Sequence, residues 1–193
     1  MKKVSTAILI CSIFLACNDN KDTTTATSDT TVNTADHTAV ATPVDSTANA
    51  PVMADSTFVA NAASGGMMEV ELGRMAEQKA TNKRVKNFAA MMVKDHTAAN
   101  AELKSVAKQN NIMVPTALMP DQRQHVTDMK GMTGKDFEKH YMDMMVNDHV
   151  QDINMFKDAS NNPNNRLKDF ATKTLPVLQK HLDSAQAIHS SIP

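Results

Sequence analysis

"KRVKNFAAMMVKDHTAANAELKSVAKQN", residues Lys83 to Asn110, decides the fold. Steps of three and four bring Val85, Phe88, Met92, His96, Ala99, Leu103 and Val106 onto one face and leave most of the charged residues elsewhere. Apolar residues at that period over so long a stretch describe an amphipathic helix rather than a strand. A single ionisable side chain, His96, interrupts the stripe at its centre.

Working outward, the same period recurs three times. Ser56 to Lys79 lines up Phe58, Ala62, Gly66, Glu69, Gly73 and Ala76. Gly134 to Ala159 lines up Met142, Met145, His149, Ile153 and Phe156, with Asp148 and Asp152 on the edge of the stripe beside Phe137 and Tyr141. Asn164 to Ser190 lines up Leu167, Ala171, Thr174, Leu178, His181, Ala185 and Ile188, and Pro176 is expected to kink or restart this helix. Turn sequences fall between the helices: "ATNK" after the first, "SNNPNN" before the last. The longer connection "NIMVPTALMPDQRQHVTDMKGMTG" carries Pro115, Pro120, Gly131 and Gly134, with room for a short helix over Gln122 to Lys130. Two helical hairpins joined by a longer crossing predict an all-α antiparallel four-helix bundle over residues 56–190.

Two internal repeats bear on the topology. "RVKNFA" (Arg84 to Ala89) and "RLKDFA" (Arg166 to Ala171) open the second and last helices, as if each hairpin were one unit. Aligning the hairpins sets Glu69 against Asp148. "MMVKDH" (Met91 to His96) and "MMVNDH" (Met144 to His149) instead relate the second and third long helices, so the two repeats do not record a single duplication.

Residues ahead of the helices read as address and tether. "MKKVSTAILICSIFLAC" has Lys2 and Lys3, an apolar run from Val4 to Ala16, and then Cys17. That run is shorter than the roughly 20 residues a membrane-spanning helix needs, and reads as a signal peptide over residues 1–16. "FLAC" resembles a bacterial lipobox, with Phe14 where Leu is usual, so Cys17 is the expected lipidation site and the membrane the expected partner. Asn18 in place of Asp favours an outer-membrane address, facing the periplasm or the surface. The other cysteine, Cys11, lies inside the signal, so no disulfide framework and no thiolate metal site is expected. Residues 17–55, rich in Thr, Ala, Asp, Ser and Asn, bury too little apolar surface to offset ordering entropy and read as a disordered tether.

The inner faces carry the functional argument. Each stripe turns one or two ionisable groups inward: Glu69, His96, Asp148 with His149, and His181. Buried groups of that kind must find one another, water or a metal. Imidazole and carboxylate together suit Fe, Mn, Zn or Cu. The alternative is a metal-free polar network that fixes helix register, as in a structural or stress-related envelope interaction module. A redox di-metal pattern asks for Glu-x-x-His on two helices, whereas Val93 and Leu178 stand three residues before His96 and His181. Oxidoreductase chemistry is therefore the weakest of the three readings. Fifteen methionines raise the question of Cu(I), but methionine at helical spacing fills core where aromatics are few. His125, His140 and His189 are expected at the surface.

Other chemistries find no motif. The chain has no Gly-rich phosphate loop, nucleophile elbow or Cys-His pair. With 20 basic and 21 acidic residues interspersed, nucleic-acid binding is not expected.

"EVELGRMA" (Glu69 to Ala76), "FAAMMVKDHTAANAEL" (Phe88 to Leu103), "FEKHYMDMMVNDHVQDINMF" (Phe137 to Phe156) and "LKDFATKTLPVLQKHLDSAQ" (Leu167 to Gln186) resemble the bacterial envelope family of domain of unknown function 4142, often labelled as outer membrane proteins. The resemblance implies a ferritin-like four-helix bundle in a Gram-negative envelope and carries no biochemical activity with it. Glu69, His96, Asp148, His149 and His181 match the family's polar motif positions. Protein partners are not legible.

Overall fold

Asparagine side chains start two of the helices. In the computed structural model, which describes residues 53–192, Asn82 accepts a hydrogen bond from the Arg84 N–H at 2.9 Å and opens α2 (Lys83–Gln109). Asn164 does the same with the Arg166 N–H at 3.2 Å and opens α5 (Asn165–His189). The repeated Arg-x-Lys-x-Phe-Ala phrase thus begins with the same cap in both places. α1 (Asp55–Lys79) precedes α2, and α4 (Gly134–Ala159) precedes α5. The short α3 (Pro120–Lys130) starts on a proline, whose missing N–H costs nothing in the first turn. Among the described residues there is no strand, and no helix is long and apolar enough to cross a membrane. The expected signal peptide, Cys17 and all but the last residues of the expected tether lie outside the described residues.

α1 packs on α2 and α4, and α5 packs on α4 and α2, so the four long helices close a ring in the order α1, α2, α5, α4. Two side-chain clamps set their directions. At one end Glu138 of α4 accepts from the backbone N–H groups of Thr81 and Asn82 and from the Thr81 hydroxyl. At the other, Asp55 of α1 accepts from Asn162 at 2.7 Å and Asn164 at 2.9 Å, in the α4–α5 turn. α4 therefore runs antiparallel to α1, and ring neighbours all run antiparallel. α2 and α4 lie diagonally with the same chain direction, so the shared Met-Met-Val-x-Asp-His phrase delivers both of its histidines at one height.

α3 carries the chain back along the outside of α1 and α4. Ser64 holds its start, accepting from the Met119 N–H at 2.8 Å and donating to Gln122 at 3.0 Å. The Lys79 ammonium holds its end, donating to the carbonyls of Lys130 (2.6 Å) and Met132 (3.0 Å), where a cation also suits the helix dipole.

The apolar interior is in two parts. Phe58, Leu103, Phe156, Leu167 and Phe170 fill the end near the α4–α5 turn, with Phe58 and Phe156 edge-to-face at 5.2 Å. Leu72, Phe88, Met92, Tyr141 and Met145 fill the other end. Met92, Met142 and Met145 are fully buried there, in keeping with methionine as core filler. Contrary to the expected restart, α5 runs unbroken through Pro176. A proline removes one hydrogen bond and costs about 3 kcal/mol, and the burial of Leu178, His181, Leu182 and Ala185 just beyond it outweighs that loss.

Candidate metal centre

Between the two apolar halves, each long helix contributes one group to a polar layer. Glu69 comes from α1, His96 from α2, His149 from α4 and His181 from α5, and none is more than 6 % exposed. The imidazoles form a nearly equilateral triangle, with centroids 5.6, 5.3 and 5.4 Å apart. One ring nitrogen of each lies within 4.8 Å of the other two. Glu69 stands beside them, its Oε2 2.7 Å from Nδ1 of His96 and its Oε1 3.4 Å from Nδ1 of His149. Neither approach has hydrogen-bond alignment, so both carboxylate oxygens are buried without a donor.

The outer partners assign the tautomers. His149 Nδ1 lies 2.8 Å from the Met145 carbonyl. A carbonyl only accepts, so Nδ1 carries the proton and Nε2 a lone pair. His181 Nε2 lies 3.0 Å from Oδ2 of Asp95, and a carboxylate likewise requires the proton there, leaving the lone pair on Nδ1. Those two lone-pair nitrogens, His149 Nε2 and His181 Nδ1, face each other at 3.3 Å. In neutral rings neither can donate to the other. His96 Nε2 is also buried without a partner.

Burial sets the charge states. It pushes His96 and His149 down to about 4, with the attraction of Asp152 and Asp95 opposing it at His96 and that of Glu69 at His149. It lowers His181 too, against the hydrogen bond to Asp95. All three rings are thus neutral near pH 7, with lone pairs available. Burial pushes the Glu69 carboxyl up to about 7, with attraction from His149 opposing and repulsion from Asp148 adding.

Of the residues expected at the site, Glu69, His96, His149 and His181 meet in this layer. Asp148 does not join the triangle. One position before His149 on α4, it is turned by about 100° toward the α1–α3–α4 face, where it lines a cavity with Glu69 and Asp152. Burial raises Asp148 to about 6, and burial with repulsion from Glu69 raises Asp152 well above the usual carboxylate range. Two residues absent from the expected set matter: Asp95, which orients His181, and Asp152, within electrostatic reach of Glu69 and His96. The signal for Asp95 was the Asp-His pair itself, which sends the histidine inward and its neighbour toward the next helix. The surface histidines stay outside the layer, with His125 exposed and His189 paired to Asp143 at 2.5 Å.

The family model of a domain of unknown function (DUF4142) matches residues 34–188. The chain belongs to the DUF4142 family. A crystal structure of a DUF305 fragment from Deinococcus radiodurans is similar to it, with a TM-score of 0.63 at 9 % identity over 73 % of this chain and 99 % of that one. At that identity the likeness is one of fold, and it supports the ferritin-like bundle. Comparison with curated proteins yields no match. The family brings no activity with it, so the chemistry of the polar layer rests on its geometry.

Proposed function

We propose that this DUF4142 domain is a metal-binding module of the cell envelope, tethered through a lipid on Cys17, which holds one divalent transition-metal ion with His96, His149, His181 and Glu69. The observation that carries this reading is the 3.3 Å approach of His149 Nε2 and His181 Nδ1, with the other nitrogen of each ring set against an acceptor. A network serving only register would place a proton between such nitrogens, whereas here both protons point outward, to Met145 and Asp95. Metal-binding histidines characteristically donate their second nitrogen to a backbone carbonyl or a carboxylate, which fixes the tautomer and raises ligand basicity. Both outer partners are of those kinds. Glu69 supplies a buried carboxylate with no donor, which a cation would satisfy. Three neutral imidazoles and a carboxylate suit Zn, Fe, Mn or Cu(II), the metals expected from the sequence.

The test is elemental analysis of the tag-free full chain after exposure to each of these metals and desalting. One equivalent of metal in the wild type, lost in His149→Ala and His181→Ala, is the expected result. Metal binding should also raise the melting temperature: at a free concentration of 100 times Kd, binding to the folded state alone adds about 2.7 kcal/mol. A wild type that retains no metal and shows no shift leaves the polar layer as a register network.

A further inference from the structure

The polar layer is walled off by apolar core above and below, so an ion needs a side entrance. One face of the bundle offers it. A cavity of about 420 Å³ opens between α1, α3 and α4, and its lining includes Asp121 and Gln122 at the start of α3, Asp148 and Asp152 on α4, and Gly65 and Glu69 on α1. Glu69 is the innermost of these, 1 % exposed, with neither oxygen receiving a hydrogen bond, and it borders both this cavity and the histidine triangle. Asp148 presents a third buried oxygen without a donor. A smaller cavity of about 20 Å³ shares Glu69 and Asp152 with it and is lined also by His96, large enough for a water-sized species.

We propose, resting on the metal reading above, that this cavity is the port through which a divalent cation reaches the histidines: Asp148 and Asp152 take the ion from solvent, and Glu69 passes it inward. Where its acidic groups are ionised, such a cleft concentrates cations and speeds their arrival. The opposite face, between α2 and α5, is less suited. There Asp95 is engaged by His181, and Glu102 is paired with the Lys173 ammonium at 2.8 Å, which places a cation in the path. Gly65 keeps the port open on the α1 side. A Cβ built on it lies 4.0 Å from Oδ1 of Asp152 and meets nothing nearer, so a larger side chain there projects into the cavity without straining the helix.

Stopped-flow mixing of the tag-free full chain with Co²⁺ tests the proposal, reading the visible absorption that appears when histidine nitrogens bind the ion. In Asp148→Asn/Asp152→Asn the association rate should fall roughly ten- to hundredfold at low salt, with a flattened ionic-strength dependence and the same final amplitude, because the histidines are intact. Gly65→Leu should slow uptake and release together by steric obstruction, with all charges retained. Glu102→Gln, on the opposite face, should load at the wild-type rate. If wild type loads and both port variants load equally fast, or if Glu102→Gln slows uptake as much as they do, the port is overturned while the metal site stands. A wild type that develops no absorption overturns both.

Discussion

Replacing Asp95 with Asn changes one atom and should change which nitrogen of His181 carries the proton. In the wild type the carboxylate, 31 % exposed and 3.0 Å from His181 Nε2, can only accept, so the ring's lone pair faces His149. An asparagine in the same place can present its amide instead. His181 can then accept at Nε2 and donate from Nδ1 to His149 Nε2, across the existing 3.3 Å gap. That exchange closes the network without a metal and removes a ligand lone pair. Loss of a metal site's outer partner typically costs 10–100-fold in affinity, or about 1.4–2.7 kcal/mol, and the tautomer exchange places Asp95→Asn at the upper end of that range. Stability of the metal-free protein should hardly move. A charge-assisted hydrogen bond is exchanged for a neutral one, and a new bond worth about 0.5–1.5 kcal/mol is gained. The net change should lie within about 1 kcal/mol, or roughly 3–5 °C in melting temperature for a domain of this size. Co²⁺ titration against a competing chelator measures the first quantity, and denaturation of the metal-free protein the second. Unchanged affinity would refute the assignment of lone pairs. A loss of more than about 2 kcal/mol in metal-free stability would instead make Asp95 a structural residue.

Two further outcomes follow from the packing. Burial pushes the Glu138 carboxyl up, but the N–H groups of Asn82 and Thr81, the Thr81 hydroxyl and Lys135 outweigh it and hold its pKa below the ordinary 4.5. A depressed folded pKa gives stabilisation that is complete above the unfolded value and lost as pH falls through the folded one. Glu138→Gln should therefore cost about 1–2 kcal/mol at pH 7, and the gap from wild type should narrow as pH falls below the ordinary 4.5 and close once pH passes the depressed folded value; urea denaturation across that range that shows a constant gap would sink the explanation. At Gly73 a Cβ would stand 2.8 Å from Val93 Cγ2 and 3.2 Å from the Ala89 carbonyl. Gly73→Ala should gain about 1 kcal/mol of helix propensity yet lose about 1–3 kcal/mol to overpacking, for a net loss. Val93→Ala should recover part of it in a double-mutant cycle, whereas simple additivity would show that the two helices do not meet there as described.

The helices were legible in the sequence because each needs only its own residues. The stripe from Val85 to Val106, the Asn-containing turns and the prolines of the long connection are local signals, and the helix boundaries lie within two residues of those they predict. Pro176 does not restart the helix, for the complementary reason: a local penalty was overruled by core contacts from other helices. Inward placement of Glu69, His96, His149 and His181 also followed from periodicity alone. Periodicity gives the angle of a side chain around its own helix but not the height at which it meets another helix. Only the tertiary structure, through the Glu138 and Asp55 clamps that set α4 against α1, brought the three imidazoles to one level. The same packing turned Asp148 to the α1–α3–α4 face and brought Asp95 against His181. What four helices share is fixed by their relative sliding, and no single helix's sequence contains that distance.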